Sequence, residues 1–116
     1  MSSVAVPDLH VVRSGSGPTL VCSHGVGSDA EVWTGWLATL EPSYRVVRWD
    51  QPGHGRSPIV ADDAYGAALA YASLRSIVDA ERRTNGGAPV ILVGHSLGGY
   101  LSCRLAIDAP DQVTAL

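Results

Sequence analysis

At 116 residues the chain has the length of one small domain, and a hydrophobic share of 46% with 16% charged residues excludes a disordered polar segment. Eight basic residues, all arginine and scattered singly apart from Arg82-Arg83, stand against eleven acidic ones for a net charge of −3, which excludes a nucleic-acid footprint. Residues 1–8 lack a basic region followed by a long apolar run, and no apolar stretch is long enough to span a bilayer, so no signal peptide, no membrane partner and a cytoplasmic location are expected.

Leu9-His10-Val11-Val12 reads as a short strand. The turn Ser14-Gly15-Ser16-Gly17-Pro18 then predicts an antiparallel hairpin into Thr19-Leu20-Val21-Cys22. That second run is continuously apolar, as in a parallel strand covered on both faces, and it ends at Ser23-His24-Gly25. From Ala30 to Leu40 the residues Val32, Trp33, Trp36, Leu37 and Leu40 space as one helical face, with Ser28 or Asp29 available as N-cap. The run from Tyr44 to Asp50 is a further strand. The loop Gln51-Pro52-Gly53-His54-Gly55-Arg56-Ser57-Pro58 is a rigid turn, and Asp62 or Asp63 can cap a long helix reaching about Arg83, with Leu69, Leu74, Ile77 and Val78 on its buried side. Asn85-Gly86-Gly87 ends that helix. Val90-Ile91-Leu92-Val93 reads as another fully buried strand, followed by a helix from about Leu97 to Ala109 and by the opening of a last strand at Val113. This alternation predicts an α/β fold: a mostly parallel sheet with an N-terminal antiparallel hairpin and helices on both faces. Residues 1–116 read as a single domain without internal repeats. Cys22 and Cys103 have no metal or dithiol spacing and read as small buried core residues.

The segment Gly94-His95-Ser96-Leu97-Gly98 carries the chemistry. A serine hydroxyl is a poor nucleophile unless it is exposed on a strained turn beside a base and oxyanion donors. Here a buried strand runs straight into a helix, and Gly94 and Gly98 flank Ser96 at two residues either side, where side chains would collide in a tight turn. The helix starting at Leu97 aims free N–H groups and a partial positive charge at the reacting oxygen.

Three motifs now stand in order: Ser23-His24-Gly25-Val26-Gly27, Asp50-Gln51-Pro52-Gly53-His54-Gly55-Arg56-Ser57 and Gly94-His95-Ser96-Leu97-Gly98-Gly99, each after a strand. Together they resemble the serine-nucleophile α/β-hydrolases, over nearly the whole chain. The resemblance implies Ser96 as nucleophile and an oxyanion hole made by the backbone N–H groups of Val26 and Leu97, with Gly25 letting its loop approach the substrate. It makes His24 and His54 loop-shaping residues. His95 adjoins Ser96 in sequence, but successive residues at a strand end point to opposite faces, so it is expected to pack or hydrogen-bond away from the serine oxygen. Asp50 is expected to bond the backbone of the turn that follows it, Trp33 and Trp36 to line the core or a pocket wall, and His10 to lie on the surface.

In the similar enzymes the acid and the histidine of the triad follow the nucleophile. Only Asp108 and Asp111 do so here, and no histidine does. The chain therefore reads as the nucleophile-bearing N-terminal part of a larger fold, lacking the cap and later strands and weak or inactive alone. The sheet edge beyond Val113 is expected to associate with another chain or a complementing segment. The resemblance implies hydrolysis of carboxylic esters, lactones or related small acyl substrates, with no metal or organic cofactor. Serine at 96 argues against the haloalkane dehalogenases and epoxide hydrolases, which resemble this family but use a carboxylate nucleophile. Two other readings compete. Gly25-Val26-Gly27-Ser28-Asp29-Ala30 fits a dinucleotide-binding turn, with Asp50 placed to bind a ribose. A non-catalytic half-sheet completed by a partner is the other.

Overall fold

In a computed structural model, which describes residues 4–116, the strands are β1 (Val11–Ser14), β2 (Thr19–Ser23), β3 (Arg45–Trp49), β4 (Val90–Gly94) and β5 (Val113–Ala115). The reading of residues 1–3 as free of a signal sequence lies outside the described residues. The five strands form one sheet in the order β1-β3-β2-β4-β5, parallel throughout except for β1, which runs antiparallel to β3. This is the mostly parallel α/β sheet that the alternation predicts.

The expected hairpin between the first two strands is not formed. β2 is buried along its whole length and has both edges taken by its parallel neighbours, β3 and β4, so β1 pairs with β3 instead. The turn at 14–18 carries the chain beneath the start of β3. Gly15 (φ +76) and Gly17 (φ +128) press on the backbone there, where a Cβ would overlap the carbonyl oxygens of Tyr44 and Ser43. The glycines read from sequence as a hairpin turn are thus the residues that let the chain cross under a neighbouring strand.

The connection from β2 to β3 is a 3-10 helix, Ala30–Trp36, followed by the single turn α1 (Leu37–Leu40). Asp29 caps it as expected, its carboxylate accepting the Glu31 N–H at 2.9 Å. A repeat of three residues replaces 3.6 over residues 30–36, and the predicted face is buried only in part. Trp33, Leu37 and Leu40 pack on Leu20, Cys22 and Val46, whereas Val32 and Trp36 are exposed.

Helix α2 (Ala67–Thr84) lies with α3 (Leu97–Asp108) on the other face, over the main core. Leu69, Leu74, Ile77 and Val78 are buried as predicted. Leu74, Leu92, Leu101 and Leu105 are each at most 1% exposed, and burial of a side chain of that size contributes about 1.5–3 kcal/mol. Neither Asp62 nor Asp63 caps α2. Both sit in a separate 3-10 turn, Asp62–Ala64, and α2 starts after Gly66 (φ +148) with no side-chain cap. Its end at Asn85, with Gly86 and Gly87 at positive φ, matches the expectation.

Two further expectations are corrected. Ile91 and Val93 of β4 are only half-buried, because residues 30–40 cover the second sheet face in part. Cys103 is exposed on α3, whereas Cys22 is buried, where desolvation, opposed by the Arg48 charge, pushes its thiol up to about 12. The main core also buries a carboxylate: Glu81 of α2 accepts from Arg13 Nε at 2.7 Å and from Arg45 Nε at 2.8 Å, tying α2 to β1 and β3.

With α1 on one face and α2 on the other, the chain steps from β2 outward to β3 and then back across β2 to β4. Crevices open at such a reversal, outside the carboxyl ends of the strands. The loops leaving β2, β3 and β4 meet there.

Candidate functional site

Ser96 occupies the junction of β4 and α3 with φ +56 and ψ −118, the only non-glycine residue at positive φ among the described residues. Such a backbone costs on the order of 1–3 kcal/mol and persists only where its surroundings over-determine it. Those surroundings are visible. A Cβ on Gly94 would overlap the Gly98 carbonyl, and one on Gly98 would overlap the carbonyl of Ser23 at the end of β2. The His95 N–H donates to that same Ser23 oxygen at 3.1 Å. The elbow is therefore clamped on β2 by backbone contact, and Ser96 is left exposed at its apex.

The loop after β2 lies against this turn. A Cβ placed on buried Gly25 would stand 3.2 Å from Ser96 Cβ and 3.3 Å from His95 Nδ1, so glycine is what allows the approach. No acceptor among the described residues takes the N–H of Val26, and that residue is 73% exposed. Leu97 is the first residue of α3, where N–H groups have no intrahelical acceptor. Val26 and Leu97 both line a cavity of about 280 Å³ whose wall includes Pro52, His54, Tyr65 and Ala70. Two N–H donors at one cavity beside an exposed hydroxyl can bind an oxyanion formed on an attacked carbonyl.

His24 and His54 each hydrogen-bond the backbone of these loops through both ring nitrogens. His24 Nδ1 is 2.7 Å from the Gly25 carbonyl, and its Nε2 accepts the Gln51 N–H at 2.9 Å. Burial pushes the His24 pKa down, with its Gly25 bond and the nearby Asp50 and Asp29 opposing and His54 assisting. His54 Nδ1 is 3.1 Å from the Pro52 carbonyl, and its Nε2 accepts the Gly27 N–H at 2.9 Å. Asp50 is fully committed to backbone: its two oxygens accept from Ala30 at 2.7 Å and Arg56 at 2.9 Å, and Gly55 presses on the carboxyl. Asp50 is 3% exposed with each oxygen already accepting a backbone N–H, so it braces its turn and is not offered to a ribose. The dinucleotide reading loses its ribose anchor.

His95 is exposed with its ring beside Gly25, and no side-chain hydrogen bond holds it. His10 is half-buried and not on the open surface. Its N–H donates to Ser57 Oγ at 2.9 Å and its carbonyl accepts from Asp50 at 3.0 Å, so β1 braces the loop after β3. Among the described residues no imidazole or carboxylate hydrogen-bonds the Ser96 hydroxyl, no three metal-ligating side chains gather, and no helix is long and apolar enough to cross a membrane.

Two residues at the site escape sequence reasoning. Gln51 donates its side-chain N–H to the His24 carbonyl at 2.6 Å, and Tyr65 folds over Gly53 into the cavity wall. Gln51 at least lies inside a recognisable motif. Nothing near Tyr65 in sequence marks it.

Comparison with known proteins identifies the family. A family model described as the alpha/beta hydrolase fold matches residues 18–116. The chain is 40% identical over 111 residues to lipase LipV of Mycobacterium tuberculosis, covering 94% of this chain and 40% of that protein. It is 34% identical over 108 residues to a pimeloyl-[acyl-carrier protein] methyl ester esterase of Methylococcus capsulatus, covering 93% of this chain and 39% of the relative. A marine microorganism esterase superposes with a TM-score of 0.80 at 25% identity, over 94% of this chain and 40% of its own. The chain thus spans about two fifths of the length of these proteins. It belongs to the α/β-hydrolase fold family.

Proposed function

We propose that this chain is the nucleophile-bearing part of a serine hydrolase acting on carboxylic esters, lactones or related acyl substrates. The observation that carries the proposal is the strained, exposed backbone of Ser96 at a strand-to-helix turn, with the Gly25 loop seated against it. Ser96 Oγ attacks the acyl carbon, the carbonyl π electrons move onto oxygen, and the N–H groups of Val26 and Leu97 take up the oxyanion. One such donor lowers the barrier by about 3 kcal/mol. The Ser96 proton passes to a histidine supplied, with its orienting acid, by sequence beyond residue 116. β5, whose last two residues are exposed, is where the strand leading to them would add, in the same chain or from a complementing one. The relatives' names, a lipase and a methyl ester esterase, favour esters, and serine at 96 disfavours the carboxylate-nucleophile chemistries. The mechanism calls for no metal or organic cofactor. A cytoplasmic location fits the unpaired, exposed Cys103, since secreted proteins tend to oxidise such thiols.

The test is hydrolysis of p-nitrophenyl acetate. The 116-residue chain alone is expected to turn over slowly or not at all. A longer form carrying the acid and histidine should turn over readily, and its Ser96→Ala variant should lose at least about a thousandfold in kcat. Retained turnover in Ser96→Ala overturns the assignment of the nucleophile. Brisk Ser96-dependent turnover by the short chain overturns its dependence on a further segment.

A further inference from the structure

Two imidazoles straddle the short stretch that carries the Val26 N–H. His24 reaches from before it to Gln51 on the loop after β3, and His54 reaches from that same loop to Gly27, immediately after Val26. Their rings lie 5.2 Å apart, centre to centre. The proton on each ring is dictated by its partners, because a backbone N–H can only donate and a carbonyl can only accept. His24 Nε2 faces the Gln51 N–H and its Nδ1 faces the Gly25 carbonyl. His54 Nε2 faces the Gly27 N–H and its Nδ1 faces the Pro52 carbonyl. Both rings must therefore be neutral and carry their proton on Nδ1.

We infer that His24 and His54 form a paired neutral clamp that positions the Val26 N–H for the oxyanion, and that protonation of either ring releases the loop. Neither residue touches the reacting atoms, so both are positioning residues, and the inference rests on the reading of Val26 as an oxyanion donor. A second proton would enter at Nε2, turning an acceptor into a donor aimed at another N–H. Pairing raises the stakes, since a charge on one ring stands 5.2 Å from the other. The remaining charged or titratable groups around the pair are Asp50 and Asp29, which favour a charge on His24, and His95, whose Nδ1 stands beside Gly25. Tyr65 closes the far side of the His54 loop over Gly53. Asp50 makes no hydrogen bond to either ring among the described residues, its oxygens accepting the Ala30 and Arg56 N–H groups.

The test is a long-range ¹H–¹⁵N correlation of the histidine rings of this chain, followed from pH 8 downward alongside the Val26 and Gly27 amide resonances. Near pH 8 both rings are expected to show a protonated Nδ1 and a bare Nε2, and the two amides should shift in step with ring titration. A proton on Nε2 of either ring near pH 8, or amides indifferent to the titration, overturns the clamp. Variants separate positioning from bulk packing. In His54→Gln an amide oxygen can replace Nε2 as acceptor, so the Gly27 amide should keep its hydrogen-exchange protection and lose only the part of its pH response that tracks the His54 ring, keeping the part that tracks His24. In His54→Ala protection should fall about tenfold, the equivalent of one lost hydrogen bond. Equal protection in both variants overturns the role of His54. None of these readouts involves hydrolysis, so the clamp can stand if Ser96→Ala keeps its turnover, and can fail while Ser96 proves to be the nucleophile.

Discussion

Replacing Glu81 by glutamine should measure what one buried carboxylate contributes to this sheet. Glu81 is 2% exposed and accepts from two arginines on two different strands. Each charge-assisted bond is worth about 1.5–3 kcal/mol. With the guanidinium side chains 40% and 36% exposed, solvent screening puts both near the low end of that range. Glutamine keeps the shape and one neutral acceptor, so the expected net loss is about 2 kcal/mol. In urea, at a slope of roughly 1–3 kcal/mol/M, the midpoint should fall by about 1 M with the slope unchanged. The pH dependence follows from the folded pKa. Burial pushes it up, but the bonds and charges of Arg45 and Arg13 outweigh burial and hold it below its ordinary 4.5. The stabilisation is therefore complete above the unfolded carboxylate value and is lost as pH falls through the folded one. The gap between wild type and Glu81→Gln should close in that acid window. No gap at neutral pH, or a gap that acid leaves unchanged, would refute the reasoning.

Gly98→Ala gains helix propensity yet drives a Cβ into the Ser23 carbonyl, and overpacking against backbone should leave it about 2 kcal/mol less stable than Gly99→Ala, whose added Cβ meets nothing nearer than 3.5 Å. Equal urea midpoints for the two variants would contradict that contact. Ellman's reagent should titrate one thiol in the native chain, Cys103, and a second, Cys22, only in denaturant, because the raised pKa and burial of Cys22 suppress its thiolate. Two fast native thiols would contradict the placement of Cys22.

The loops that build the site were the most legible part of the chain, because their cues are local. A β-branched run ending in His-Gly or Gly-His-Ser announces where a strand stops and which backbone must come close. What escaped notice is set by distant partners. β1 looks like half of a hairpin when read with its neighbours, and only the occupation of both β2 edges sends it to β3. Val32 shares a face with Trp36 only if the helix is α, and in a 3-10 repeat the two stand a third of a turn apart. Nothing in the α2 sequence marks Glu81, because its partners Arg13 and Arg45 arrive from two distant strands. The family resemblance implies that Gly25 lets the Val26 loop approach closely, but not that two ring nitrogens limit that loop.

The pairing of β2 with β4 also bears on how the protein folds. Leu20 lies beside Ile91, about 70 residues away in the chain, and contacts of that span form late because the intervening loop must close first. The turn bearing Ser96 owes its strain to that closure, since Gly98 and His95 rest on the end of β2. A nascent or partly unfolded chain thus holds an ordinary serine on a relaxed backbone. The strained backbone at this position is acquired only with that pairing, and its appearance becomes a report that β2 and β4 have joined.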